Sequence, residues 1–85
     1  MHLSAELEAA IRLEPDKQAD VIIGVSAYND DLETILVDLG CHISSRDQID
    51  VGMVYGRIRL ADIQQLQKVK SIEWIELDST QYAQG

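Results

Sequence analysis

The stretch "MVYGRIRLADIQQLQKVKSIEWIELD" (53–78) decides the fold, because it contains an alternating strand, a helical segment and a closing strand in succession. In 53–60, apolar and polar residues alternate, which is typical of a strand with one face on a core. In 61–71, apolar residues recur at helical spacing, and we predict a helix there. The segment 72–78 is rich in β-branched and aromatic residues, so it is predicted to return as a strand.

The two faces of the 53–60 strand differ in chemistry. One face carries Val54, Gly56, Ile58 and Leu60, and the other carries Met53, Tyr55, Arg57 and Arg59. Helices must cover the first face, because burial of aliphatic surface is the main favourable term in folding. The helix at 61–71 is predicted to meet this face with Ile63, Leu66 and Val69.

The first half of the chain supplies the remaining elements. "DVIIGVSA" (20–27) is almost continuously apolar, as expected of a central strand, and "CHISSRDQI" (41–49) is a more polar strand that suits a sheet edge. Between them, "YNDDLETILVDLGC" (28–41) is predicted to be a helix capped by Asn29 or Asp30. Its predicted buried stripe consists of Leu32, Ile35, Leu36 and Leu39.

The element order βαββαβ predicts an α+β domain with the ferredoxin-like arrangement. Right-handed crossovers place both helices on one face of a four-stranded antiparallel sheet and leave the other face open. A short N-terminal helix precedes this unit, and its apolar stripe includes Leu7 and Ile11. We therefore predict an arm and linker (1–19), a ferredoxin-like domain (20–78) and a C-terminal tail (79–85).

Composition narrows the classes of partner and compartment. The chain has 85 residues, which fits one domain, and its 15 acidic and 7 basic residues give a net charge of -8. That charge argues against binding to nucleic acid or to an anionic membrane. Cys41 is the only cysteine, which favours a reducing compartment. Because "MHLSAELEAAIRLEP" (1–15) is no secretory signal and no apolar run approaches the roughly 20 residues of a membrane span, we expect a cytoplasmic protein.

Residues that carry catalysis or bind metals are sparse. Cys41 and His42 are adjacent, and adjacent side chains in a strand point to opposite faces, so His42 is badly placed to act as a base for Cys41. His2 and His42 are the only histidines, and no zinc-ligand spacing exists. No lysine lies in a buried apolar run where its pKa would fall enough for Schiff-base chemistry. We expect no enzymatic activity, no bound metal and no cofactor.

The only tryptophan, Trp74, is predicted to lie on the open face of the sheet. In the closing strand Ile75 and Leu77 join the core, which sends Trp74 to the opposite face, while Ile72 lies at the helix–strand junction. The residues predicted to share the face of Trp74 are Ile22, Met53 and Tyr55. An apolar patch of this kind usually marks an interaction site, because burying one large aromatic contributes on the order of 3 kcal/mol.

Several covers for this patch are compatible with the sequence. The N-terminal helix could lay Leu3, Leu7 and Ile11 over the patch within the same chain. A second copy could pair its sheet with the first in a symmetric homodimer, or a different protein could bind there. RNA-binding domains of this fold stack bases on sheet aromatics such as Tyr55 and Trp74, but the acidic charge and the absence of a basic, aromatic recognition motif disfavour RNA.

The second half, "VYGRIRLADIQQLQKVKSIEWIELD" (54–78), resembles the subtilisin propeptide family of peptidase inhibitors (inhibitor family I9). The shared pattern is an alternating strand, a short helix and an apolar–acidic–aromatic–apolar–acidic closing strand, and it extends more loosely to 20–50. The chain also resembles small bacterial domains of the same shape. The resemblance implies a domain that lays its open sheet face on two helices of a subtilisin-like serine protease and inserts its tail into the active-site cleft.

The resemblance also implies a set of partner-binding residues. Tyr55 and Trp74 would dock on the protease helices, and carboxylates near them would approach helix N-termini, where negative charge is favoured. The candidate carboxylates are Glu73, Glu76 and Asp78, and Tyr82 in the tail is the candidate reactive residue. The alternative hypothesis is a ferredoxin-like ligand-sensing or scaffolding module that acts as a homo-oligomer.

Overall fold

A five-stranded mixed sheet carries three helices on one of its faces. The structure, a computed structural model, describes residues 2–45 and 52–78. The strands are β1 (His2–Leu3), β2 (Gln18–Val25), β3 (His42–Ser45), β4 (Met53–Arg59) and β5 (Ile72–Leu77). The helices are α1 (Ala5–Leu13), α2 (Asp30–Asp38) and α3 (Ile63–Leu66), and one turn of 3₁₀ helix, Leu60–Asp62, precedes α3. The predicted α+β class is confirmed.

The strand order across the sheet is β1-β5-β2-β4-β3. Each neighbouring pair among the last four strands is antiparallel, whereas β1 runs parallel to β5. The prediction of four strands, all antiparallel, therefore needs correction. His2 and Leu3 pair with Trp74 and Ile75, so that β1 occupies an edge of β5 that would otherwise expose unpaired backbone groups.

The N-terminal helix α1 packs on the helix-bearing face of the sheet. Ser4 caps it by accepting a hydrogen bond from the backbone N–H of Leu7 at 3.2 Å. Leu7 and Ile11 are buried in the same core cluster as Val21 and Ile75, which lie on the inner face of the sheet. The possibility that α1 covers the open sheet face is therefore wrong, because its apolar stripe is already used in the core.

Helix α2 begins at a predicted N-cap residue and is followed by a glycine. The side chain of Asn29 accepts a hydrogen bond from the backbone N–H of Leu32 at 2.8 Å, and Gly40 follows the helix with a φ of 96°, a value that glycine adopts without strain. Leu32 and Leu36 are buried, but Ile35 is 41% exposed. The apolar stripe predicted for α2 is thus wider than the part of it that is buried in the core.

Helix α3 is shorter than the predicted helix over 61–71. After Leu66 the backbone N–H groups of Gln67, Lys68 and Val69 bond to carbonyls three residues back, in the tighter 3₁₀ pattern. The carbonyl of Ser71 already accepts a hydrogen bond from the N–H of Ser26 at the end of β2. The chain must therefore turn towards β5 by residue 71, which leaves room for only a short helix.

A β-bulge in β5 accounts for the irregular apolar spacing of that strand. Val25 pairs with Ile72 and Ile23 pairs with Ile75, so that β5 uses one more residue than β2 over this interval. Ile72 and Ile75 are both buried in the core as a result. Ile72 is therefore the first residue of β5 and a core residue, and Trp74 lies on the other face as predicted.

Candidate functional site

The open sheet face is built from three neighbouring rows of side chains across β5, β2 and β4. The register places Trp74, Gly24 and Met53 in the first row, Glu76, Ile22 and Tyr55 in the second, and Asp78, Asp20 and Arg57 in the third. The four predicted apolar residues are therefore adjacent. Each of them is only half-buried, and none belongs to the core cluster or packs against it.

The indole of Trp74 lies flat against the backbone of Gly24. A Cβ atom added to Gly24 would overlap with Cε2, Nε1 and Cδ2 of the Trp74 ring. Gly24 has no positive φ, so glycine is required here by the close approach of the ring and not by the backbone conformation. One surface of the indole is thus covered by the chain itself, while the ring as a whole stays partly exposed on the open sheet face.

The third row of the open sheet face is charged. Arg57 Nε donates to Asp20 Oδ1 at 3.0 Å and Nη2 donates to Oδ2 at 3.4 Å, so the guanidinium and the carboxylate form a bidentate pair of hydrogen bonds. Opposite charges directly across a strand pair stabilise a sheet. The backbone N–H of Asp78 donates to the carbonyl of Asp20 at 2.9 Å, and this bond continues the ladder to the end of β5. A polar border therefore limits the apolar patch on one side.

The predicted acidic contacts have different environments. Glu73 and Glu76 are exposed, and Glu76 lies beside Ile22 in the second row. Asp78 is only 7% exposed and is engaged within the domain. Tyr82 and the tail 79–85 lie outside the described residues, as do residues 46–49 of the third predicted strand.

Two features of the face were not singled out from the sequence. The sequence does not show which side chain approaches Gly24, because this depends on the β2–β5 register. The Asp20–Arg57 pair likewise requires the β2–β4 register, because the two residues are 37 positions apart in the chain. The alternation of polar and apolar residues placed Arg57 on the correct face, but it could not show which carboxylate lies opposite.

Cys41 is a buried free cysteine. Burial raises the pKa of its thiol from 9.0 to about 11. A Cβ atom added to Gly56 would lie 2.8 Å from Cys41 Sγ, so the sulfur fills the space that this glycine leaves in the core. His42 is exposed and the thiol is not, and residues 2–45 and 52–78 contain no group of three or more metal-binding side chains. The thiol therefore behaves as a small apolar core group.

We expect Cys41 to react slowly with a thiol reagent such as DTNB in the native protein. At pH 8 a thiol with a pKa of about 11 is ionised in about one molecule in a thousand, against about one in ten for the unfolded chain. Native labelling should be at least about 100-fold slower than labelling in urea, monitored by absorbance. The same difference means that the free energy of unfolding falls as pH rises from 9.0 towards 11, because only the unfolded chain releases the proton. Rapid stoichiometric labelling without urea would contradict this.

Comparisons of the chain with protein-family models, with curated proteins and with solved structures find no match. Function must therefore be inferred from the open sheet face and from the sequence resemblance. Within the described part of the chain, no helix has the length and apolar character needed to cross a membrane.

Proposed function

We propose that this chain is a non-enzymatic protein-interaction domain that docks a partner protein on its open sheet face. We further propose that the partner is a subtilisin-type serine protease, towards which the chain acts as an inhibitor or as a folding chaperone. The observation that carries the proposal is the partly exposed patch of Trp74, Tyr55, Met53 and Ile22 on a sheet face that the three helices leave free. Contiguous exposed apolar patches usually mark interaction sites.

The arrangement of the inner elements supports a ferredoxin-like unit within the larger sheet. Strands β5, β2, β4 and β3 lie side by side in that order, and every neighbouring pair among them is antiparallel. Helices α2 and α3 connect β2 to β3 and β4 to β5, and their buried residues join one core. We propose that β1 and α1 are additions to this unit, placed at the β5 edge where they do not obstruct the open sheet face.

The chemistry of the face suits the surface helices of a partner. Trp74 and Tyr55 offer large apolar area with few rotatable bonds, which keeps the entropy cost of docking low. Glu73 and Glu76 are exposed, and Glu76 shares a row with Tyr55. A carboxylate at a helix N-terminus is stabilised by the helix dipole and by free N–H groups. The tail 79–85 directly follows β5 in sequence, and we propose that it enters the protease cleft as an added strand.

We expect the full chain to inhibit subtilisin with slow onset and tight binding. Deletion of 79–85 should abolish inhibition of the active site, because no segment then enters the cleft. Trp74→Ala should weaken inhibition by about 10- to 100-fold, which is typical of a central aromatic at an interface. The measurement is progress-curve inhibition with a chromogenic peptide, together with recovery of refolding subtilisin as a test of chaperone action.

The matched control is Val37→Ala, which removes an exposed aliphatic side chain from α2 on the opposite side of the sheet. This variant should inhibit as the unmodified chain does. If the full chain neither inhibits several subtilisins nor assists their refolding, the protease assignment is wrong. If Val37→Ala and Trp74→Ala weaken inhibition equally, the open sheet face is not the docking surface.

A further inference from the structure

A second apolar surface lies on the helix-bearing side, away from the open sheet face. It is a groove between α2 and the turn that follows α3. Its floor is aliphatic and its rim is charged, and the residues that define it are Ile35, Leu39, Val69, Asp38, Lys68 and Lys70. We call it the α2–α3 groove.

The floor of the α2–α3 groove consists of residues that the helix periodicity marks for burial. Ile35 belongs to the apolar stripe of α2, yet it remains 41% exposed. Leu39 continues the stripe of α2, and Val69 lies in the turn that follows α3; both are only partly buried against the core. The apolar stripes of an amphipathic helix face a core or a partner. These helices therefore carry more apolar surface than the single domain covers.

The rim of the α2–α3 groove carries both signs of charge. Asp38 lies on the α2 side, and Lys68 and Lys70 lie on the other side. None of the three forms an ion pair with any residue of 2–45 or 52–78; Lys68 Nζ is 3.5 Å from the amide oxygen of Gln65. An acidic ligand would satisfy the lysines and meet like charge at Asp38. A surface with an apolar centre flanked by opposite charges is instead complementary to a copy of itself rotated by a two-fold axis.

We propose that two copies of this chain pair through their α2–α3 grooves about a two-fold axis. The Ile35 side chains of the two copies fill the apolar centre, and Asp38 of each copy faces the lysines of the other. The open sheet face of each copy stays uncovered, so the dimer presents two docking faces and binds clustered partners with increased avidity. The dimer does not depend on the proposed protease partner, because the two surfaces lie on opposite sides of the sheet.

The dimer should be detected by sedimentation equilibrium over a range of protein concentrations. The α2–α3 groove offers only a small contact surface, and the net charge of -8 on each copy opposes association. We therefore expect a weak dimer that dissociates on dilution. Ile35→Asp should weaken association by at least about 10-fold, because it places a carboxylate in the apolar centre. Val37→Asp is the matched control: Val37 is on the same helix and 55% exposed, but it does not line the groove. This variant should remain dimeric.

Charge exchange tests the two-fold pairing directly. Lys68→Glu combined with Lys70→Glu should weaken the dimer by about 10-fold, because the new carboxylates face Asp38. Adding Asp38→Lys to this variant should restore association, since each copy then presents the exchanged charges to the other. A rescue of this kind is not expected if Asp38 and the lysines act separately.

Three outcomes would overturn the proposal. The chain could remain monomeric at every concentration, in which case the α2–α3 groove belongs to a different protein. Trp74→Ala could abolish the dimer while Ile35→Asp preserves it, which would place the interface on the open sheet face. The Asp38→Lys addition could also fail to restore the dimer. Thermal unfolding of each variant distinguishes loss of pairing from loss of folding, because these side chains are not fully buried in the single chain.

Discussion

Leu7→Ala is expected to lower the free energy of unfolding by about 3 kcal/mol. Leu7 is fully buried, and it joins helix α1 to the inner face of the sheet. Truncation removes three carbon atoms from this position and leaves a cavity in a core that is small to begin with. The loss is a large part of the stability of a domain of this size.

The measurement is urea unfolding followed by two signals in parallel. Fluorescence of Trp74 reports on the sheet, and far-UV circular dichroism reports largely on the helices. If α1 is integral to the core, both transitions move together in Leu7→Ala. Leu13→Ala is the control, because Leu13 lies on the same helix but is 80% exposed, and it should change stability by no more than about 0.5 kcal/mol. A change in dichroism with an unmoved fluorescence transition would show that α1 unfolds independently.

The open sheet face was the part of the site most accessible from the sequence. Strict alternation in 53–60 fixes which side chains share a face, and the helical stripes fix which face is covered. Ile22 and Tyr55 are paired in the β2–β4 register, and paired residues of neighbouring strands point to the same face of the sheet. The period of two in a strand is set by backbone geometry, so this prediction depended little on tertiary detail.

The position of the N-terminal segment was not accessible in the same way. β1 consists of two residues, His2 and Leu3, which are too few to show any periodicity. The stripe of α1 shows that one side of the helix is apolar, but it does not show which apolar surface that side contacts. The pairing of β1 with β5 brings α1 to this edge of the sheet, and burial of Leu7 and Ile11 in the core shows that α1 packs on the inner face.

The bulge in β5 is visible in the sequence as a spacing of apolar residues that does not fit strict alternation. Ile72 and Ile75 are three residues apart, a spacing that a regular strand cannot bury on one face. An extra residue in the strand makes this spacing possible, and apolar residues at i and i+3 within a strand therefore indicate a bulge. The bulge is adjacent to Trp74, whose indole lies across Gly24.

Gly24→Ala is expected to displace the indole of Trp74 from the sheet. The added methyl group occupies the position of the ring atoms, so the ring must rotate away or the strands must separate. Overpacking of this kind costs about 1–3 kcal/mol. The emission of Trp74 should shift to longer wavelength as the ring becomes more exposed to water. The affinity for the proposed partner should fall, because the ring no longer lies where that partner is proposed to bind.

A double-mutant cycle with Trp74→Ala separates this steric effect from a general effect of alanine in β2. Gly24 has an ordinary extended backbone, so alanine is compatible with its conformation and reduces the entropy of the unfolded chain. With the indole removed, Gly24→Ala should be neutral or stabilising by up to about 0.5 kcal/mol, which gives a coupling energy of about 2 kcal/mol between the two sites. Equal destabilisation in both backgrounds would mean that the indole does not rest on Gly24 in solution. Trp74 would then protrude from the sheet, and the patch would be a flexible contact and not a preorganised one.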